Sequence, residues 1–134
     1  MRVLVTGGAG FIGSHVVDAL VGRGDEVHIV DDLSNGKRHN VPAEATLHVY
    51  DIREPLDGIV DAAAPDRVVH FAAQADVRVS VAKPAFDATV NVAGTANVLE
   101  AARQTGARVV FASIDTDRPS SAPRFSSTVA RSVT

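Results

Sequence analysis

The sequence predicts an α/β fold, a doubly wound parallel sheet, and three observations carry that prediction. Five short apolar runs recur along the chain, helically spaced stretches lie between them, and a glycine-rich turn joins the first run to the first helix. Arg2 to Thr6, with Val3-Leu4-Val5 at its centre, ends at Gly7 and Gly8 and reads as a strand buried on both faces. From Phe11 to Arg23 the residues Ile12, Val16, Ala19 and Leu20 recur at helical spacing, and Gly22 and Gly24 supply the stop. Glu26 to Asp31 is the second strand and Ala45 to Tyr50 the third. A weaker helix is expected over Glu54 to Ala64, followed by the strand Arg67 to Phe71. Pro84, suited to a first turn, opens a long helix that runs to about Thr105. Gly106 ends it, and Arg108 to Ala112 is the fifth strand. Right-handed crossovers then predict the strand order 3-2-1-4-5.

Composition narrows the function classes. The 134 residues suit one domain, and 46% hydrophobic with 22% charged residues is ordinary globular protein. A net charge of -3 without a basic cluster argues against nucleic acid and anionic membrane as partners. The chain has no cysteine, which removes disulfides, thiolate metal sites and cysteine nucleophiles and makes the cytoplasm the expected compartment. Val3-Leu4-Val5 is too short for a signal-peptide core, and no apolar run approaches the roughly 20 residues of a membrane span. Five histidines (His15, His28, His39, His48, His70) lack ligand spacing, so no metal is expected.

Past Ser113 the character changes. Residues 115–134 hold five serines, three threonines, three arginines and two prolines with no sustained period, which reads as a disordered tail. The expected organisation is a partial nucleotide-binding domain over residues 1–113 and a tail over 114–134.

The glycine turn carries the chemistry. Gly8, Gly10 and Gly13 fit G-x-G-x-x-G, and Gly7, Gly10 and Gly13 fit the variant G-x-x-G-x-x-G, in the required place between a strand and a helix. Residues without Cβ turn sharply and let backbone N–H groups approach phosphate oxygens, and the last glycine lets helix pack on strand. The helix N-terminus adds unpaired donors and a positive dipole end. Asp31 ends the second strand 18 positions after Gly13, where a carboxylate accepts hydrogen bonds from adenosine ribose hydroxyls. It also opposes a 2′-phosphate, since two such charges about 4 Å apart cost on the order of 4 kcal/mol at an effective dielectric near 20, roughly a thousandfold. The expected cofactor is NAD rather than NADP. Lys37 and Arg38 are close enough in sequence to blunt that preference, and they are expected on a solvated loop.

These residues, with others downstream, resemble the N-terminal half of the extended short-chain dehydrogenase/reductase family, and within it the NAD-dependent epimerases and dehydratases, most of all the UDP-glucose 4-epimerases. The matching stretches are Val5 to Ser14, Asp31-Asp32-Leu33-Ser34-Asn35-Gly36, Asp51-Ile52-Arg53, His70-Phe71-Ala72-Ala73-Gln74-Ala75 and Asn91-Val92-Ala93-Gly94-Thr95, spread over about five sixths of the chain. The resemblance implies a Rossmann-type sheet, truncated here after about five strands, and a set of cofactor contacts. Gly7, Gly10, Phe11, Ile12 and Gly13 would form the pyrophosphate turn. Asp31 and the loop Asp32, Leu33, Ser34, Asn35 and Gly36 would surround the adenosine ribose, and Asp51 with Ile52 would flank adenine. Phe71, Ala72, Ala73, Gln74 and Ala75 would lie along the cofactor, with Asn91 near its nicotinamide side and Ser113 at the end of the fifth strand.

The family's chemistry also needs a tyrosine acid/base with a lysine four positions on, and a nearby Ser or Thr. Here the one tyrosine, Tyr50, is followed four positions on by Glu54, the last lysine is Lys83, and Ile114 stands where the resemblance expects the Ser/Thr. No catalytic residue is assigned. The family's sugar-nucleotide domain comes mostly from its second half, so a sugar nucleotide is expected as partner only of a full-length relative. The expectation is the NAD-binding half of a sugar-nucleotide epimerase, inactive as this chain; the alternative is a non-catalytic NAD-binding module or inactive remnant of an NAD-dependent dehydratase or epimerase. The change of composition near Ser113 suggests a lost or truncated reading frame, which translating the other frames would test. The fifth strand would lie at an open apolar edge, an aggregation hazard that the tail or a second copy in a homodimer would cover.

Overall fold

The structure, a computed structural model, describes residues 1–112. Five parallel strands, β1 (Arg2–Thr6), β2 (Glu26–Asp31), β3 (Thr46–Val49), β4 (Arg67–His70) and β5 (Arg108–Phe111), form one sheet in the order β3-β2-β1-β4-β5, as the crossover rule predicts. Helix α1 (Phe11–Gly22) covers one face, and α2 (Asp57–Ala63) with α5 (Thr95–Thr105) covers the other. β1 is apolar throughout its centre because both of its faces are buried. Val3 and Val5 pack with Val27, Ile29 and Val17 of α1, while Leu4 packs with Val30, Val68, Val60 and Val98 on the opposite side. Each such side chain, fully removed from water, contributes about 1.5–3 kcal/mol.

The register brings the strand ends level. Thr6, the last residue of β1, pairs with Val30 on one side and His70 on the other. The chain leaves β1 toward β2 and leaves β4 toward β5, so a crevice opens between the carboxyl ends of β1 and β4, the usual ligand position in such sheets.

The structure departs from the expected helices in three places. The long helix from Pro84 to Thr105 is divided into α4 (Pro84–Ala88), a π-helical turn over Thr89–Gly94, and α5. The wider turn sets Gly94 against Ile52, whose Cδ1 would lie 2.7 Å from a Cβ there, and aims Asn91 at the backbone of Gln74. A short helix that the periodicity does not reveal, α3 (Val77–Ala82), is capped by Asp76, whose side chain accepts from the Arg78 N–H at 2.9 Å. Its Val77 and Val81 are exposed, so it has no amphipathic pattern to read. The helix expected from Glu54 begins only at Asp57, because residues 51–54 are a turn: the Asp51 carboxylate accepts from Arg53 N–H and its carbonyl from Glu54 N–H. Among the described residues β5 is paired on one side only, with β4, and Val110 and Phe111 are about half exposed. Ser113 and the tail over 114–134 lie outside the described residues. Among the described residues no helix is long and apolar enough to cross a membrane.

Candidate functional site: a dinucleotide cleft

The glycines divide their work. Gly7 has φ +70, a left-handed backbone, and a Cβ on it would lie 2.8 Å from the Ala72 nitrogen. Gly10 donates its N–H to the Gly7 carbonyl at 3.2 Å, and a Cβ on Gly13 would lie 2.1 Å from that same oxygen. The turn therefore needs Gly7 and Gly13, a Cβ on Gly10 would sit tightly at 3.3 Å from the Gly7 oxygen, and Gly8 faces the side chain of Ile29 and serves packing. Gly10 is the N-cap of α1 and no side chain caps the helix, which leaves its first-turn amides available to an anion. Phe11 and Ile12 stand in that first turn with their side chains exposed.

Asp31 is buried at the end of β2. Its Oδ2 accepts from the Ala9 N–H at 3.0 Å and its Oδ1 from the Leu33 N–H at 2.9 Å. One carboxylate thus ties the glycine turn to the next loop, and each oxygen keeps a lone pair for a further donor. Leu33 takes the left-handed conformation, and Gly36 sits so close that a Cβ on it would lie 2.8 Å from Oδ2. Asp32 accepts from both the N–H and the hydroxyl of Ser34. Lys37 and Arg38 are exposed and do not line the cleft.

At the far end Asp51 accepts from Arg53 Nε at 2.8 Å, and that hydrogen bond holds its carboxyl below the usual carboxylate range. The Arg53 guanidinium lies 5.4 Å from the centre of the Phe86 ring, bridging the turn after β3 to α4. The opposite wall is the segment after β4. Phe71 N–H donates to the Thr6 carbonyl at 3.0 Å, and Gln74 is gripped from both sides by Asn91, which accepts from its N–H at 2.7 Å and donates to its carbonyl at 2.9 Å.

These elements enclose a cleft of about 290 Å³. It brings together Gly7, Gly10, Asp31, Asp32, Ser34, Asn35, Gly36, Asp51, Ile52, Phe71, Ala72, Ala73 and Gln74. Gly13 packs against the turn and Leu33 turns the loop, while Phe11, Ile12, Ala75 and Asn91 do not line the cleft, Asn91 holding Gln74 of its wall. Ser113 lies outside the described residues. The cleft also uses Val30, Tyr50, Arg53, Val79, Phe86 and Val90, which sequence reasoning does not select. Arg53 and Tyr50 flank the Asp51-Ile52 pair and could be found by that adjacency. Val79, Phe86 and Val90 come from α3, α4 and the π-helical turn, and carry no local signal. Among the described residues no three His, Asp or Glu side chains gather as a metal-ion site.

A glycine turn feeding an uncapped helix N-terminus, an acidic residue ending the neighbouring strand and a crevice at the strand-order reversal together define a dinucleotide-binding α/β domain. The model of the NAD dependent epimerase/dehydratase family matches residues 3–128, and the chain belongs to that family. It is 43% identical over 116 residues to a UDP-glucose 4-epimerase of Mycolicibacterium smegmatis, covering 82% of this chain and 37% of that protein. Among solved structures it is similar to the Thermus thermophilus UDP-glucose 4-epimerase in complex with NAD, with TM-score 0.82, 44% identity, and coverage of 90% of this chain and 42% of the other. The Thermotoga maritima UDP-glucose 4-epimerase with UDP-glucose gives TM-score 0.81 and 43% identity, covering 83% of this chain and 37% of the other. The chain thus spans well under half the length of these relatives.

Proposed function

We propose that this chain is the NAD-binding half of a sugar-nucleotide epimerase of the UDP-glucose 4-epimerase type, binding the cofactor without turning substrate over by itself. The observation that carries the reading is the pairing of the glycine turn with Asp31, whose two oxygens already organise the backbone on either side of the ribose position. Crowding supports the fit: a Cβ at Gly7, Gly13 or Gly36 would press on the turn, the wall or Asp31. Amides at the start of α1 would hold the pyrophosphate, Asp31 and the loop to Gly36 the adenosine ribose, and Asp51 and Ile52 the adenine edge. Phe71 to Gln74 would line the remaining length and exclude water from it. Bound NAD supplies the ability to take up and return a hydride at the sugar C4. Moving the hydroxyl proton needs a positioned acid/base, and no Tyr-x-x-x-Lys occurs in these 134 residues. That group, and the pocket that would select the sugar nucleotide, must come from outside them.

Calorimetric titration of NAD into the purified chain, with a parallel assay of UDP-glucose/UDP-galactose interconversion, tests this. One NAD per chain and no turnover is the expected result. Absence of NAD binding overturns the reading, and turnover overturns its inactivity. The missing acid/base also favours a second reading, an inactive remnant or dedicated NAD-binding module. Activity regained on adding the remaining part of a full-length relative would exclude it.

Asp31→Asn gives a sharper check on the ribose assignment. An amide turns one accepting oxygen into a donor facing a backbone N–H, a conflict of about 1–3 kcal/mol. NAD affinity is expected to fall roughly tenfold or more, and the preference for NAD over NADP to shrink toward parity. Titration of both nucleotides into both proteins measures it, and an unchanged preference would remove Asp31 from the ribose site.

A further inference from the structure

Thr6 and His70 end β1 and β4 opposite one another, one residue before Gly7 and one before Phe71. His70 is only 3% exposed, yet both of its ring nitrogens have partners. Nδ1 lies 2.6 Å from Thr6 Oγ1, and Nε2 lies 3.0 Å from Thr95 Oγ1 at the start of α5. The Ala72 N–H donates to Thr6 Oγ1 at 3.2 Å. Among the described residues the fully buried Thr6 hydroxyl has no acceptor other than Nδ1, so its proton is donated there. Nδ1 then accepts, and Nε2 carries the proton and donates it to Thr95, a tautomer assigned from the network. The relay runs from the cleft wall at Ala72, through the end of β1, to α5. The wall's other end is fixed separately by Asn91 on Gln74.

The two sides joined in this way are already at contact distance. A Cβ on Gly7 would sit 2.8 Å from the Ala72 nitrogen, so a displacement of a few tenths of an ångström changes the gap between glycine turn and wall. The Phe111 ring, centred 5.6 Å from the imidazole, packs against it from β5. Burial pushes His70 down to about 4, which keeps the ring neutral and Nδ1 an acceptor near neutral pH.

We propose that His70 is a positioning residue of the cofactor cleft: held between Thr6 and Thr95, its imidazole fixes the Thr6 hydroxyl on Ala72 and so sets the spacing between the glycine turn and the Phe71–Gln74 wall. The proposal rests on the NAD-binding reading above. His70→Gln keeps a donor toward Thr95 but removes the acceptor for Thr6, and Thr6→Val removes the same link from the other side. Each is expected to weaken NAD binding about tenfold, the scale of one lost buried hydrogen bond. Thr6→Ser, which restores the hydroxyl, is expected to return affinity to within about threefold of wild type.

Calorimetry well below the lowest melting midpoint, with melting curves for every variant, provides the test. Val98→Ala is the control: Val98 lies in the core on α5 and does not itself line the cleft, so this variant is expected to lose stability without losing affinity. If wild type fails to bind NAD, the functional reading falls. If wild type binds and His70→Gln and Thr6→Val bind within twofold of it, the positioning proposal falls alone. Should His70→Gln not fold, the Thr6→Val and Thr6→Ser pair decides on the same criteria.

Discussion

Gly13→Ala is expected to cut NAD affinity by about two orders of magnitude, the largest effect of any single methyl group added to this chain. The new Cβ would lie 2.1 Å from the Gly7 carbonyl oxygen, with the Gly7 carbon and the Gly8 Cα both at 2.9 Å. No flexible side chain can yield there, because all three neighbours are backbone. Either α1 backs away from β1 or the turn unwinds, at a cost of about 1–3 kcal/mol and at times more. Both escapes move the first-turn amides off the proposed pyrophosphate position, so the loss is expected on binding as well as stability. Gly22→Ala is the matched control, since nothing lies within 4 Å of a Cβ at that helix end. It is expected to leave NAD binding unchanged and to stabilise α1 by up to about 1 kcal/mol. Calorimetry and thermal unfolding of both variants check the pair, and equal NAD affinities would refute the close-packing account of the turn.

Mild acid is expected to weaken the fold before the carboxylates are involved. His70 is pushed by burial from an ordinary 6.5 down to about 4. Below about pH 6.5 the unfolded chain takes up a proton at this ring that the folded chain refuses until about pH 4. The associated stability is fully present above pH 6.5 and declines as pH falls between those values, by about 3 kcal/mol in all and about 2 kcal/mol by pH 5. His48, lowered by burial and by the facing His28, acts in the same direction. Asp51, held low by Arg53, contributes only at more acid pH, where its unfolded form begins to protonate. Urea unfolding at pH 7.5 and pH 5 measures the decline, and His70→Gln should remove most of it. A variant as acid-sensitive as wild type would show that the buried imidazole is not the source.

Much of this was legible in the sequence because the responsible physics is local or periodic. Short apolar runs locate all five strands, three of them marked by a nearby glycine (Gly7, Gly24, Gly106), and Gly106, with φ +69, ends α5 where the sequence places a stop. The turn and Asp31 are legible because only certain residue types serve such positions. The π-helical turn was not legible: it goes with the close approach of Gly94 to Ile52, a contact between residues 42 positions apart in sequence that local spacing does not record. α3 escaped for a different reason. It buries none of its residues, so hydrophobic spacing carries no trace of it, and only its cap Asp76 marks its start. The hydrogen bonds of Asn91 escape the sequence for a related reason. Set within the π-helical turn, it reaches the backbone of Gln74 and supports the cleft wall from behind.

The central place of β1 bears on how the molecule is made. β1 is synthesised before the other four strands, but its β4 neighbour begins at Arg67, and the Thr6–His70 bond joins residues 64 positions apart. Until that point a growing chain can pair β1 only with β2, leaving one edge of its central strand, buried from Val3 to Thr6, open on the ribosome. The relay to Thr95 closes later still. The cleft is therefore among the last parts of the domain to assemble, and NAD can reward only a nearly finished fold. A nascent chain halted before residue 67 would hold the whole glycine turn and Asp31, yet lack the wall that makes them a site.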